Sequence, residues 1–367
     1  MNNNLQASGK VIIGISGGVD SSVAALLLKN QGYDVEALFM KNWDERSADG
    51  NCLWEADVED AMNVCGILEI PINTVDLSEQ YWLDVFSEFL IEYGSGRTPN
   101  PDILCNQEVK FKAFLQHALK LGADKIATGH YARIGTRDKQ SILLKGCDAN
   151  KDQSYFLCGL SQHQLNRCLF PIGELQKPDV RKIASDAGFA IHDKKDSTGI
   201  CFIGERPFRD FLSQYIPVNK GAIHDTQETI IGEHDGIHFY TLGQRQGLGI
   251  GGIKGVNEQP WYVVAKDIET NTLIVAQGHD HPLLYSQGLF MTDPHWVADQ
   301  PPNIPFTCKA KIRYRQRDQV CTIESLAADK GSIRFEQAQR AVTPGQYIVF
   351  YDGDICLGGG VIASTWN

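Results

Sequence analysis

The feature that most restricts the fold is a strand-like run, 10–15, apolar from Val11 to Ile15, leading straight into Ser16-Gly17-Gly18-Val19-Asp20-Ser21 and then an amphipathic stretch. It predicts a buried strand, a glycine turn and a helix over 21–31. The pattern then repeats. Strands are predicted at 35–39, 72–76 and 125–128, with helices at 54–68, 79–93 and 110–121 between them. Apolar strands alternating with helices predict an α/β domain with a doubly wound parallel sheet. In such sheets ligands sit beyond the carboxyl ends of the strands.

Near residue 205 the pattern changes. Two glycine-rich stretches, 221–237 and 239–255, precede an alternating hairpin at 261–276. From 288 onward the chain reads as short strands at 308–314, 319–325, 332–335, 346–351 and 358–363. That is the signature of an antiparallel β-barrel. Three domains are expected: a catalytic α/β domain over 1–210, a small mixed/β central domain over 211–282, and a C-terminal antiparallel β-barrel over 283–367.

Composition narrows the function classes. No stretch approaches the ~20 apolar residues of a spanning helix, and no export signal is visible, so a cytoplasmic protein without a membrane partner is expected. The 10 cysteines are scattered without CxxC spacing. Reduced thiols are therefore expected, most of them core residues, and no metal centre is assigned. A net charge of −11 argues against nonspecific coating of nucleic acid, yet leaves room for a local basic surface.

The glycine turn carries the first chemistry. Gly14, Ile15, Ser16, Gly17, Gly18, Val19, Asp20 and Ser21 join a strand to a helix N-terminus. Backbone N–H groups and helix partial charge there favour an anion, and the serine hydroxyls can bond phosphate oxygens. Asp20 is suited to position Mg²⁺ or to cap the helix. No lysine follows the glycines, so this is not a Walker loop that moves a γ-phosphoryl group. SGGVDSS resembles the pyrophosphatase loop of the PP-loop ATP-cleaving superfamily. That resemblance implies ATP, with Mg²⁺, adenylating a carbonyl or amide oxygen and releasing pyrophosphate. It leaves open whether an amine or a sulfur then displaces AMP.

Two further phrases address that choice: Asn100-Pro101-Asp102-Ile103-Leu104-Cys105-Asn106 and Asp196-Ser197-Thr198-Gly199-Ile200-Cys201-Phe202. With Gly129-His130-Tyr131-Ala132-Arg133, Lys151-Asp152-Gln153-Ser154-Tyr155-Phe156 and Thr343-Pro344-Gly345-Gln346, they closely resemble the bacterial tRNA-specific 2-thiouridylase family. The likeness runs from about Lys10 to the C-terminus. The chemistry fits independently. Exchanging a uracil oxygen for sulfur requires the oxygen to become a leaving group, sulfur at a persulfide oxidation level, and a second thiol for exchange. Cys105 reads as preceding a helix, with Asn106 able to cap it, a position that lowers a thiol's pKa.

The resemblance implies that Cys201 carries the persulfide, Cys105 acts as nucleophile and Asp102 shuttles a proton. It places ATP against Met40 and Gly129, residues that alone would read as core. It places tRNA against Asn100, Pro101, Asp102, His130, Lys151, Asp152, Gln153, Arg313, Tyr314 and Gln346. The partners implied are tRNA, through a uridine of the anticodon loop, and a sulfur-donor protein, either a cysteine desulfurase or a relay carrier.

Residues 309–317, Lys-Ala-Lys-Ile-Arg-Tyr-Arg-Gln-Arg, read as one strand. It would present positions 309, 311, 313, 315 and 317 as a basic face and turn Ala310, Ile312 and Tyr314 inward. Such a face suits a phosphate backbone. The rival enzyme is a PP-loop synthetase with an amine nucleophile, for which both cysteines would be dispensable.

Overall fold

The computed structural model describes residues 9–43, 52, 54–196, 208–250 and 259–367. Strand β1 (Lys10–Ile15) is apolar after Lys10 because both its faces are covered. Val11, Ile13 and Ile15 enter one hydrophobic cluster and Ile12 the other. Helix α1 (Val19–Asn30) packs Val23, Ala24 and Leu28 on the first face. β2 (Asp34–Lys41), α2 (Glu55–Leu68), β3 (Ile72–Asp76) and β4 (Lys125–Ala127) complete the frame with the two-residue β7 (Cys168–Leu169). The sheet order is β3-β2-β1-β4-β7, parallel at every pairing. The order reverses between β1 and β4, which opens a crevice at their carboxyl ends.

Two long helices cover the second face. Helix α3 spans 78–94 and α4 spans 101–120, and each contains a π-helical stretch, Trp82–Phe86 and Cys105–Ala113. The sequence reading started the second helix at 110. In fact Asn100 is its N-cap and Pro101 its first residue, an arrangement proline favours because that N–H has no intrahelical partner.

A hairpin that the sequence reading did not assign, β5 (Ala132–Arg137) with β6 (Gln140–Lys145), leaves the catalytic domain and pairs with the barrel. Helices α5 (Gln162–Leu165), α6 (Lys177–Asp186) and α7 (Phe208–Leu212) follow. The expected boundary at 210 falls inside α7, whose Phe211 and Leu212 pack beside Phe86 and Cys105.

The central domain is a small sheet. Strands β8 (Gly221–His224), β9 (Ile230–His234), β10 (Trp261–Asp267) and β11 (Thr272–Gln277) lie in the order β10-β11-β8-β9. The barrel comprises β12 (Tyr285–Trp296), β13 (Phe306–Lys311), β14 (Gln319–Leu326), β15 (Lys330–Arg340), β16 (Tyr347–Asp352) and β17 (Ile355–Trp366). Pairing of β12 with β17 closes these six antiparallel strands, which leaves no free edge within the ring. Among the described residues no helix is long and apolar enough to cross a membrane.

Candidate active site

The loop after β1 is held by its own serines. Ser21 Oγ accepts the Ser16 N–H at 3.2 Å, and Ser22 Oγ donates to the Gly18 carbonyl at 2.8 Å. Gly17 has φ +69°, and a β-carbon there would collide with the Asp57 carbonyl, so only glycine fits. Gly129, just after β4, lies so close to the start of α1 that a methyl group would stand 2.6 Å from the Ser21 nitrogen. Gly14 is bounded by the Met40 methyl, 3.1 Å from where its own β-carbon would be. The loop, Met40 and Gly129 thus converge on the β1/β4 crevice.

Asp20 does not cap α1. Its carboxylate accepts from the Tyr131 hydroxyl at 2.8 Å and from the Lys177 ammonium at 2.7 and 2.9 Å. Lys177 also bonds Asp196 Oδ1 at 2.6 Å, and Lys151 and Arg181 pair with the same carboxylate. Burial acts to raise the Asp196 carboxyl, but hydrogen bonds from Lys151 and Lys177 outweigh it and hold it below the ordinary value. On the loop's other flank Lys194 donates to the Gly17 carbonyl at 3.1 Å and to Asp57 and Asp60 at 2.8 and 2.6 Å. Burial works against the Lys194 charge, yet its two carboxylate partners raise it above the usual lysine value. None of Lys177, Lys194, Tyr131 or Arg181 was assigned to the site from sequence. Tyr131, Lys177 and Lys194 lie 111, 157 and 177 positions from the loop residues they touch, and only the fold brings them there; Arg181 joins them through Asp196.

Cys105 occupies the first turns of α4 and is buried with Val85, Phe89, Val109 and Phe211. This corrects the expectation that it precedes the helix. Asn106 is not a cap: its side-chain amide donates to the Phe156 carbonyl at 3.0 Å. The residues just before α4 are tied to the barrel, because Gln346 donates to the Thr98 and Pro99 carbonyls at 2.9 and 3.1 Å, and Thr98 N–H bonds Pro344 O at 3.0 Å. Asn100, Pro101 and Asp102 therefore sit where barrel and catalytic domain meet. Cys201 lies outside the described residues.

His130 is buried between Phe111 and Phe170 and shares a 2.8 Å hydrogen bond with Thr128 Oγ1. Burial, then the Lys110 charge, pushes it well below the ordinary imidazole value, so the ring is neutral. Lys151 pairs with Asp196, buried Asp152 accepts the Gly146 and Ser154 N–H groups at 3.1 Å each, and Gln153 accepts the Tyr131 N–H at 2.9 Å. The basic stretch differs from expectation: β13 ends at Lys311 and 312–317 turn away from the sheet. Ala310 and Ile312 are buried as expected, whereas Lys311 pairs with Asp152 at 3.5 Å. Arg313 donates to the Ala341 carbonyl at 2.7 Å. Tyr314 packs at a tilt against Phe156, its hydroxyl 3.3 Å from the Lys151 carbonyl, and burial raises that hydroxyl to about 12.

A parallel sheet whose switch-point crevice is lined by a serine–glycine loop at a helix N-terminus defines the PP-loop class of α/β proteins. Residues 9–205 match the family model described as "tRNA methyl transferase HUP domain". Residues 209–277 match its "PRC-barrel domain" and 286–362 an "Aminomethyltransferase beta-barrel domain". The chain is 56% identical to the tRNA-specific 2-thiouridylase MnmA of Marinobacter nauticus over 98% of this chain and 92% of that one. It is also 56% identical to the namesake protein of Francisella tularensis subsp. novicida, over 96% and 99% of the two chains. The chain belongs to the tRNA-specific 2-thiouridylase family. Among solved structures, a 4-thiouridine synthetase–RNA complex with bound ATP aligns with 57% of this chain and 50% of its own at 18% identity and TM-score 0.36, a likeness too remote to build on.

Proposed function

We propose that this enzyme replaces O2 of the wobble uridine of tRNA with sulfur at the expense of ATP. The observation that carries the reading is the crevice itself: a loop of N–H groups and hydroxyls at the α1 N-terminus, in a chain 56% identical to 2-thiouridylases over nearly its whole length. The methyl transferase description of the matching domains does not fit this crevice. Methyl transfer from a sulfonium donor has no need of a polyphosphate seat.

The uridine O2 attacks the α-phosphorus of ATP, and pyrophosphate leaves on the loop's N–H groups. Mg²⁺ would accompany the triphosphate and offset part of its charge. The terminal sulfur of a Cys201 persulfide then attacks C2, and AMP departs with the original oxygen. Cys105 thiolate attacks the Cys201 sulfur, which frees the 2-thiouridine and leaves a Cys105–Cys201 disulfide. An external thiol reductant restores both, and a desulfurase or relay carrier reloads Cys201. Asp102 takes part in proton transfer at the base. Cys105 is covered by aromatic side chains, so tRNA docking must uncover it. Contacts to tRNA come from the Asn100–Asp102 turn, the Lys151–Gln153 turn, Arg313, Tyr314 and Gln346.

Single-turnover reactions with unmodified tRNA, ATP and a persulfide-generating desulfurase test this. Cys105→Ala and Cys201→Ala are expected to form adenylated tRNA but no 2-thiouridine. Thiolation at the wild-type rate by both variants would contradict the sulfur chemistry.

A further inference from the structure

One group beside the loop has no part in the sulfur-transfer scheme. Lys177 is the first residue of α6, its main-chain N–H fixed by Asp148 Oδ2 at 2.9 Å. Its side chain is only 10% exposed. A buried ammonium is costly unless paired, and this one is shared between two carboxylates, Asp20 at 2.7 and 2.9 Å and Asp196 at 2.6 Å. The two acids are not equally dependent on it. Asp196 has Lys151 and Arg181 as further cations. Asp20 has, among the described residues, only the neutral Tyr131 hydroxyl besides.

The pyrophosphate loop contains no cation of its own. An uncompensated Asp20 carboxylate in the first turn of α1 would oppose a polyphosphate seated on that helix end. We infer that Lys177 is a positioning residue for the nucleotide step: its ammonium draws the Asp20 carboxylate toward Asp196 and cancels its charge, so that the loop accepts ATP. The same ammonium thereby ties the loop to Asp196, the residue that opens the Cys201 sequence. This inference rests on the adenylation reading above.

Equilibrium binding of α,β-methylene-ATP, measured by calorimetry on the full chain, separates the two ideas. Wild type should bind, and failure of wild type to bind would overturn the adenylation reading and this inference with it. Given binding by wild type, Lys177→Met should weaken it by at least about tenfold. Lys177→Arg should recover most of the loss, because it restores charge without restoring shape. In turnover the Lys177→Arg defect should lie in the KM for ATP, with kcat at saturating ATP little changed. Adding Asp196→Asn to Lys177→Met should cost less than the two single losses together, because the pair acts through one bridge. Undiminished binding by Lys177→Met would overturn the inference. So would Lys177→Arg binding no better than Lys177→Met, which would mark the lysine as packing alone. If Lys177→Met does not fold, Lys177→Gln against Lys177→Arg gives the same comparison.

Discussion

Two groups of cations in this molecule stand in opposite surroundings. Beside the loop, Lys177, Lys194, Lys151 and Arg181 are each locked to carboxylates of Asp20, Asp57, Asp60 or Asp196. Past the end of β13, Arg315 and Arg317 are exposed and make no ion pair among the described residues. Lys311 stands between the two groups: it begins in the basic run and ends against buried Asp152 and the Tyr351 ring. Charge of the same sign therefore serves two purposes. Where it is paired with carboxylates it fixes their positions, and where it stands unpaired in water it remains available to a polyanion.

The largest effect should come from the packed side. Gly129→Ala forces a methyl group against the Ser21 nitrogen, with backbone on both sides of the clash. Overpacking of this kind costs about 1–3 kcal/mol, and because the strain falls on the loop, ATP binding should fall by more than about tenfold. A variant that binds ATP normally would show that β4 and α1 can separate freely. Next comes Gln346→Ala, which removes two hydrogen bonds to the Thr98 and Pro99 carbonyls. A loss of about 1–3 kcal/mol in denaturant unfolding is expected, together with faster hydrogen exchange in the first turn of α4. Unchanged exchange there would mean that the barrel does not hold this helix.

The comparison is sharpened by pairing Lys311→Met with Arg315→Ala. Lys311→Met should lower stability, because it removes the cation paired with the buried Asp152 carboxylate. Arg315→Ala should leave stability within about 0.5 kcal/mol. If Arg315 meets a phosphate, its loss should also reduce the salt dependence of tRNA binding by about one ion. Equal stability losses from the two would erase the distinction drawn here. The smallest effect concerns His130. Its folded-state value lies below the ordinary 6.5, so the unfolded chain binds the proton more readily. Its contribution is intact above 6.5 and declines as pH falls below it. His130→Phe should flatten the acid limb of stability between about pH 6.5 and 5. An unchanged limb would assign that slope to other groups.

How much of this was readable in the sequence depended on distance along the chain. The strand, loop and α1 are contiguous, so periodicity and glycines sufficed. The barrel announced itself through short alternating strands, although β12 was missed because Gly288 and Pro294 interrupt its alternation. The β5–β6 hairpin was also missed. Its turn uses Asp138 and Lys139 with φ +51° and +67°, residues that give no glycine signal. The start of α4 was misplaced although Asn100-Pro101 is a legible cap and first residue. The cations Lys177 and Lys194 were beyond reach. Nothing near them in the sequence points to a loop more than a hundred residues earlier.

The central claim is that ATP activates the base oxygen itself, and isotope tracing tests it most directly. Unmodified tRNA carrying ¹⁸O at O2 of the target uridine would be thiolated in one turnover, and the released AMP analysed by mass spectrometry. The account predicts one ¹⁸O atom in AMP for each 2-thiouridine formed. AMP without the label, beside fully formed 2-thiouridine, would contradict it.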